Sequence, residues 1–148
     1  MKRLLRVTVF ILAVGLFASS AFSEELSAFA GKWTCQKTNA DGQHYSQAIE
    51  IKKDKFTFKV LSPDGETRLY AEGDVKLEKS APFQIVIFSN IKAGASSSDT
   101  TPIEDTYTSI YKFTDPDTLL VVMNFDKERD EQQKPRLDDY RKVKDAKN

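Results

Sequence analysis

Cys35 and His44 are the two side chains best suited to nucleophile–base chemistry, and the chain has one of each. A thiol and an imidazole on neighbouring strands form a dyad only if the ring reaches the sulfur, since the thiolate is the reactive species. Spacing cannot establish that reach, and a free cysteine is more often a small buried apolar residue. A histidine-based triad lacks its presenting element: no Gly-x-Ser-x-Gly elbow occurs, and Ser96–Ser98 lie in a Gly/Ser/Thr-rich stretch. One His and one Cys make half a tetrahedral zinc site. Asn39-x-Asp41-Gly42 and Asp115-Pro116-Asp117 offer oxygens without the loop length and terminal Glu of a calcium hand, so both read first as turns. No Gly-rich phosphate loop joins a strand to a helix. The residues therefore indicate no catalytic group, no metal and no cofactor.

The side chains that remain are apolar and aromatic. Phe56, Phe58, Tyr70, Tyr107, Tyr111 and Met123 fall at alternating positions of extended segments. They admit two readings: an ordinary packed core, or the lining of a pocket for a small hydrophobic ligand oriented by tyrosine hydroxyls. The tyrosines lean toward the second, because a buried phenol needs a hydrogen-bond partner.

The elements that must position these residues are short strands. Ile49 and Ile51 alternate with Glu50 and Lys52, and Phe56, Phe58 and Val60 share one face of 55–61. Ser62-Pro63-Asp64-Gly65 supplies a turn, with Pro presetting its own φ and Gly accepting positive φ. Further strands are expected over 68–72, 74–78, 83–90, 105–114, 118–125 and 137–143, with 126–134 a solvated loop and 144–148 a frayed tail. The stretch 91–103, rich in Gly, Ser and Thr, reads as a mobile loop. Segments 83–88 and 119–125 are apolar on both faces, so their outer side needs a cover: the N-terminal segment around Phe29, or a partner subunit. Consecutive antiparallel strands must hide their edges. The expected fold is all-β, a single antiparallel up-and-down β-barrel of eight or nine strands after a short helical turn at 26–30.

The N-terminus carries an address. Lys2, Arg3 and Arg6 precede the apolar run Val7–Phe17, and Ala21 and Ser23 suit a signal peptidase. This divides the chain into a signal peptide, 1–23, and a domain, 24–148, secreted or periplasmic. The apolar run is shorter than the roughly 20 residues of a membrane span. Cleavage removes three basic residues and no acidic ones from a formally neutral chain. The mildly acidic product lacks the concentrated Lys and Arg that nucleic acids or anionic membranes require. Cys35 has no intramolecular disulfide partner.

Gly31-Lys32-Trp33, directly after the expected helical turn, resembles the signature of the lipocalin-like, or calycin, barrels. Tyr111-Lys112-Phe113 followed by Asp117-Thr118-Leu119 is similar to uncharacterised secreted bacterial domains of that type. The resemblance implies that Gly31, Trp33 and Arg141 close the barrel, with the Arg141 guanidinium over the indole. It also implies a non-catalytic binding protein for a small hydrophobic molecule. The chain departs from the family in its short length, its missing disulfide and its lack of the other motifs. A filled barrel acting as a protein-interaction module or inhibitor through the 91–103 loop, or a homodimer, is the alternative. An open pocket of at least about 300 Å³ would favour ligand binding.

Overall fold

A computed structural model describes residues 26–80, 82–125 and 134–144. The expected signal peptide 1–23, most of the expected solvated loop 126–134 and most of the expected tail lie outside the described residues. A single helical turn, Leu26–Phe29, leads into nine strands: β1 Gly31–Thr38, β2 His44–Lys52, β3 Lys55–Leu61, β4 Thr67–Ser80, β5 Phe83–Ser96, β6 Asp99–Pro102, β7 Tyr107–Asp115, β8 Thr118–Met123 and β9 Arg136–Lys142.

Every strand pairs antiparallel with its neighbour, and β9 returns to β1 through Trp33–Lys142 and Thr34–Arg141. This closes a barrel of eight positions. The ninth strand needs no position of its own. β7 pairs with β5 at 85–88 and β6 pairs with the same edge of β5 at 92–96, so β6 and β7 run in line as one interrupted strand. Ile103 N–H donates to Ile91 C=O at 2.7 Å within the interruption.

The stretch 91–103 is therefore paired sheet, contrary to the loop that its composition suggests. Its disguise has a physical cause. Asp74 pairs with Ser89 and Glu72 with Lys92, so Gly73 alone faces both Asn90 and Ile91 across a bulge. The extra residue switches which positions of β5 point inward. Val86 and Phe88 line the interior before it, and Ile91 and Ala93 after it. Asn90 takes a left-handed φ of 51° and donates from Nδ2 to Asp74 Oδ2 at 2.7 Å. Gly73 is required opposite the bulge, because a Cβ there would lie 2.6 Å from Ser89 O. On β4 no switch occurs: the two segments expected at 68–72 and 74–78 form one continuous strand.

The core is the barrel interior. Trp33, Ile51, Val86 and Leu119 are all but inaccessible to solvent. Phe29 reaches into this core, its ring centroid 4.7 Å from Tyr111 and 5.2 Å from Phe113. It plugs the base from within and does not cover the outer face of the two-sided strands. That face carries a row of register partners, Ile85, Ile110, Val122 and Leu137, across β5, β7, β8 and β9.

Candidate functional site

Alternation aims one face of each strand at a shared interior, and a cavity of about 250 Å³ remains between them. Ile49 of β2, Phe56 and Phe58 of β3, Leu69 and Ala71 of β4, and Val86, Phe88, Ile91 and Ala93 of β5 form one side. Ile103, Tyr107 of β7, Leu119, Val121 and Met123 of β8, and Tyr140 of β9 form the other, with Phe29 beneath. Polar atoms are few. Tyr140 Oη donates to Gln47 Oε1 at 3.1 Å, both residues being buried, and Ser109 Oγ donates to Met123 Sδ at 3.3 Å.

Of the aromatic and Met positions singled out from the sequence, Phe56, Phe58, Tyr107 and Met123 line this cavity. Tyr111 lies in the core beneath it, edge-on to Phe29 and Phe113. Tyr70 does not join them. Its neighbours Leu69 and Ala71 face the cavity, so alternation sends Tyr70 to the opposite face of the sheet, where it is still buried. There its hydroxyl donates to Glu72 Oε2 at 2.8 Å and the Lys59 ammonium lies 6.0 Å from its ring centroid. Tyr140, Ala71 and Ile91 went unnoticed in the sequence. The signal for Tyr140 was its period-two spacing from Asp138 and Lys142.

The base closes differently from the expectation as well. Trp33 is fully buried and donates from Nε1 to Phe29 O at 2.9 Å, which latches the helical turn to β1. The cation over the indole is Lys142, with Nζ 5.1 Å from the ring centroid, and not Arg141. Trp33 and Lys142 are register partners and share a face, whereas Arg141, one residue earlier, points outward. Arg141 Nη1 donates to Thr118 Oγ1 at 2.6 Å and Nη2 to Asp139 Oδ2 at 2.8 Å. Gly31 pairs with Ile51 and takes a φ of +115° beside the Lys142 stem.

Above the cavity the interior becomes polar. Asp138, with no exposed side-chain surface, is ion-paired to Lys37 and receives Arg136 Nε at 3.2 and 3.3 Å. The β1–β9 ladder ends at Thr34–Arg141, and continuing its register would set Lys37 opposite Asp138. The ion pair thus holds the seam where backbone pairing stops. Burial, outweighing the nearby Lys37 charge, raises the Cys35 thiol pKa above its ordinary value. Burial first, then the Asp138 charge, raises the Tyr140 phenol far above the usual tyrosine range. Neither group is poised as a nucleophile or base near neutral pH.

His44 lies at the exposed rim, hydrogen-bonded to Thr38 Oγ1 at 3.1 Å, on the face of β2 opposite to Gln47. Cys35 pairs in register with Gln47 on the interior side, so the two members of the imagined dyad stand on opposite faces. A wider groove of about 760 Å³ runs outside the rim, lined by His44, Tyr45, Leu61, Pro63 and Arg68. It is open to solvent and converges on no catalytic constellation. Among the described residues, no group of three or more His, Cys, Asp or Glu is placed to hold a metal. None of their helices is long and apolar enough to cross a membrane.

No protein-family model matches the chain. A search of curated proteins finds no match. Among solved structures the barrel is similar to a de novo designed fluorescence-activating β-barrel, at 15% identity and a TM-score of 0.49, over 80% of this chain and 96% of that one.

Proposed function

We propose that the protein is an exported, non-catalytic, lipocalin-like binding protein for a small apolar molecule held inside the barrel. The observation that carries this reading is the 250 Å³ interior cavity with its almost wholly aliphatic and aromatic lining. At about 250 Å³ the cavity falls short of the roughly 300 Å³ expected of an open ligand pocket, and this bounds the ligand. Apolar cavities of about 150 Å³ stay dry and accept benzene, while pockets for drug-sized molecules begin near 300 Å³. A single-ring or short-chain hydrophobe fits the interval. The Tyr107 and Tyr140 phenols on the lining supply orientation. Export rests on the Lys2–Ser23 leader pattern, and N-terminal sequencing of the protein from the periplasmic or medium fraction tests it.

Binding is tested by titrating the protein with a small apolar fluorophore and with benzene-sized competitors. Saturable uptake of one probe per chain, displaced by the competitor and lost when the cavity is filled by Ala71→Leu, supports the reading. Non-saturable uptake, or uptake indifferent to Ala71→Leu, removes it.

The second reading is a protein-interaction module. It is favoured by the outer apolar row Ile85–Ile110–Val122–Leu137, where the Leu137 side of the barrel is 59% exposed at that residue. The 91–103 segment, being paired strand, no longer serves it as a flexible arm.

A further inference from the structure

Gln47 is a polar side chain set into an apolar interior. It lies on β2 two residues before Ile49, on the face that lines the cavity, and only 6% of its surface meets solvent. A primary amide carries one acceptor oxygen and two N–H donors. The Gln47 oxygen takes the Tyr140 hydroxyl proton at 3.1 Å, and among the described residues nothing accepts from Nε2. Turning the amide over improves nothing, because Oε1 would then stand idle and the Tyr140 proton would lose its acceptor. Buried donors are nearly always paired, and an unpaired one carries the full cost of losing its water. The Tyr140 oxygen is half-used as well: it donates to Gln47 but, among the described residues, accepts from nothing. Since Tyr140 lines the cavity, both open hydrogen-bonding positions meet at its wall.

We propose that Gln47 and Tyr140 form a hydroxyl-binding subsite, so that the molecule held in the barrel is a single-ring or short-chain hydrophobe carrying one uncharged hydroxyl. The proposal rests on the binding function put forward above and specifies its ligand. A hydroxyl matches the pair atom for atom. The ligand oxygen accepts from Gln47 Nε2 and the ligand proton goes to Tyr140 Oη, which closes a ring with the hydrogen bond already present. A bare hydrocarbon would leave both positions open. An ammonium cannot accept from Nε2. A carboxylate has no proton for Tyr140, and it would meet the fully buried Asp138, two residues away on the same face of β9. The Lys37 and Arg136 charges do not recruit an anion here, since both are spent on Asp138.

The test compares phenol with toluene, in which a methyl of similar size replaces the hydroxyl, by calorimetric titration. Wild type is expected to bind both, although an apolar cavity without hydrogen-bond partners would exclude phenol. In the double variant Gln47→Met with Tyr140→Phe, both partners become apolar groups of similar shape. There the ratio of phenol to toluene affinity is expected to fall at least about tenfold, the scale of one hydrogen bond. A second measurement needs no variant. In nuclear magnetic resonance spectra of wild type, the Gln47 side-chain amide protons should shift with phenol far more than with toluene. A wild type that takes toluene and rejects phenol overturns the subsite and leaves the binding function standing, while one that takes neither removes both. An affinity ratio unchanged in the double variant overturns the subsite. So does a Gln47 amide that moves equally with the two molecules, or with neither.

Discussion

The Lys142 ammonium lies 5.1 Å from the centroid of the Trp33 ring, across the short ladder that joins the last strand to the first. The indole N–H beneath it is committed to Phe29 O, so one side chain ties together the helical turn, β1 and β9.

Lys142→Met should therefore cost about 0.5–1 kcal/mol in urea unfolding, the range of a partly exposed cation–π contact. Trp33 is the single tryptophan, so the same substitution should shift its emission. Arg141→Met, on the outer face, should leave that emission unchanged while loosening Thr118. An emission change confined to Arg141→Met would refute the assignment.

Asp138 and Lys37 lock the seam above. Asp138→Leu leaves the Lys37 ammonium, 19% exposed, beside a dry wall, and should destabilise the protein by about 3–5 kcal/mol. Adding Lys37→Met should recover most of the loss, because the charge that then remains, on Arg136, is 47% exposed and keeps its water. Denaturant titrations of the two single variants and the double variant measure the coupling.

Ala71→Leu projects extra carbons into the cavity. Where a void receives them, the change in stability should stay under about 1.5 kcal/mol, while probe affinity drops at least about tenfold. Tyr70→Phe, next in the chain but on the opposite face, should leave probe affinity untouched. Fluorescence titration distinguishes them.

Tyr140 contributes to the alkaline limit, together with the Cys35 thiol, whose pKa burial also raises. Its phenol pKa is raised in the folded protein, so the unfolded chain releases that proton first, near pH 10. Its contribution is complete below that pH and is lost as pH rises toward the folded value, at up to about 1.4 kcal/mol per unit. Urea unfolding at pH 8–11 should show a declining stability, and Tyr140→Phe should flatten the decline. An unchanged slope would remove Tyr140 as its source.

The alternation of Phe56, Phe58 and Val60, the 62–65 turn and the helical turn before Gly31 were legible in the chain, because period two and turn chemistry are local properties. So was the barrel, since a run of antiparallel strands without long helices has few ways to hide its edges. Four of the six proposed pocket residues lie on the cavity for the same reason, the parity of a strand being written in its own residues.

The rest belongs to the tertiary structure. The bulge at Asn90 reverses parity within β5, so the period breaks although the strand continues, and a Gly/Ser-rich tract passes for a loop. Tyr70 and Tyr111 match the pocket residues in type, but depth and face are set by partners distant in sequence. The choice of Lys142 over Arg141 hangs on a one-residue register between the two ends of the chain. Pattern along a strand is a local consequence of backbone geometry. Register, bulges and the volume left inside depend on how strands far apart in sequence meet, and only the closed barrel decides them.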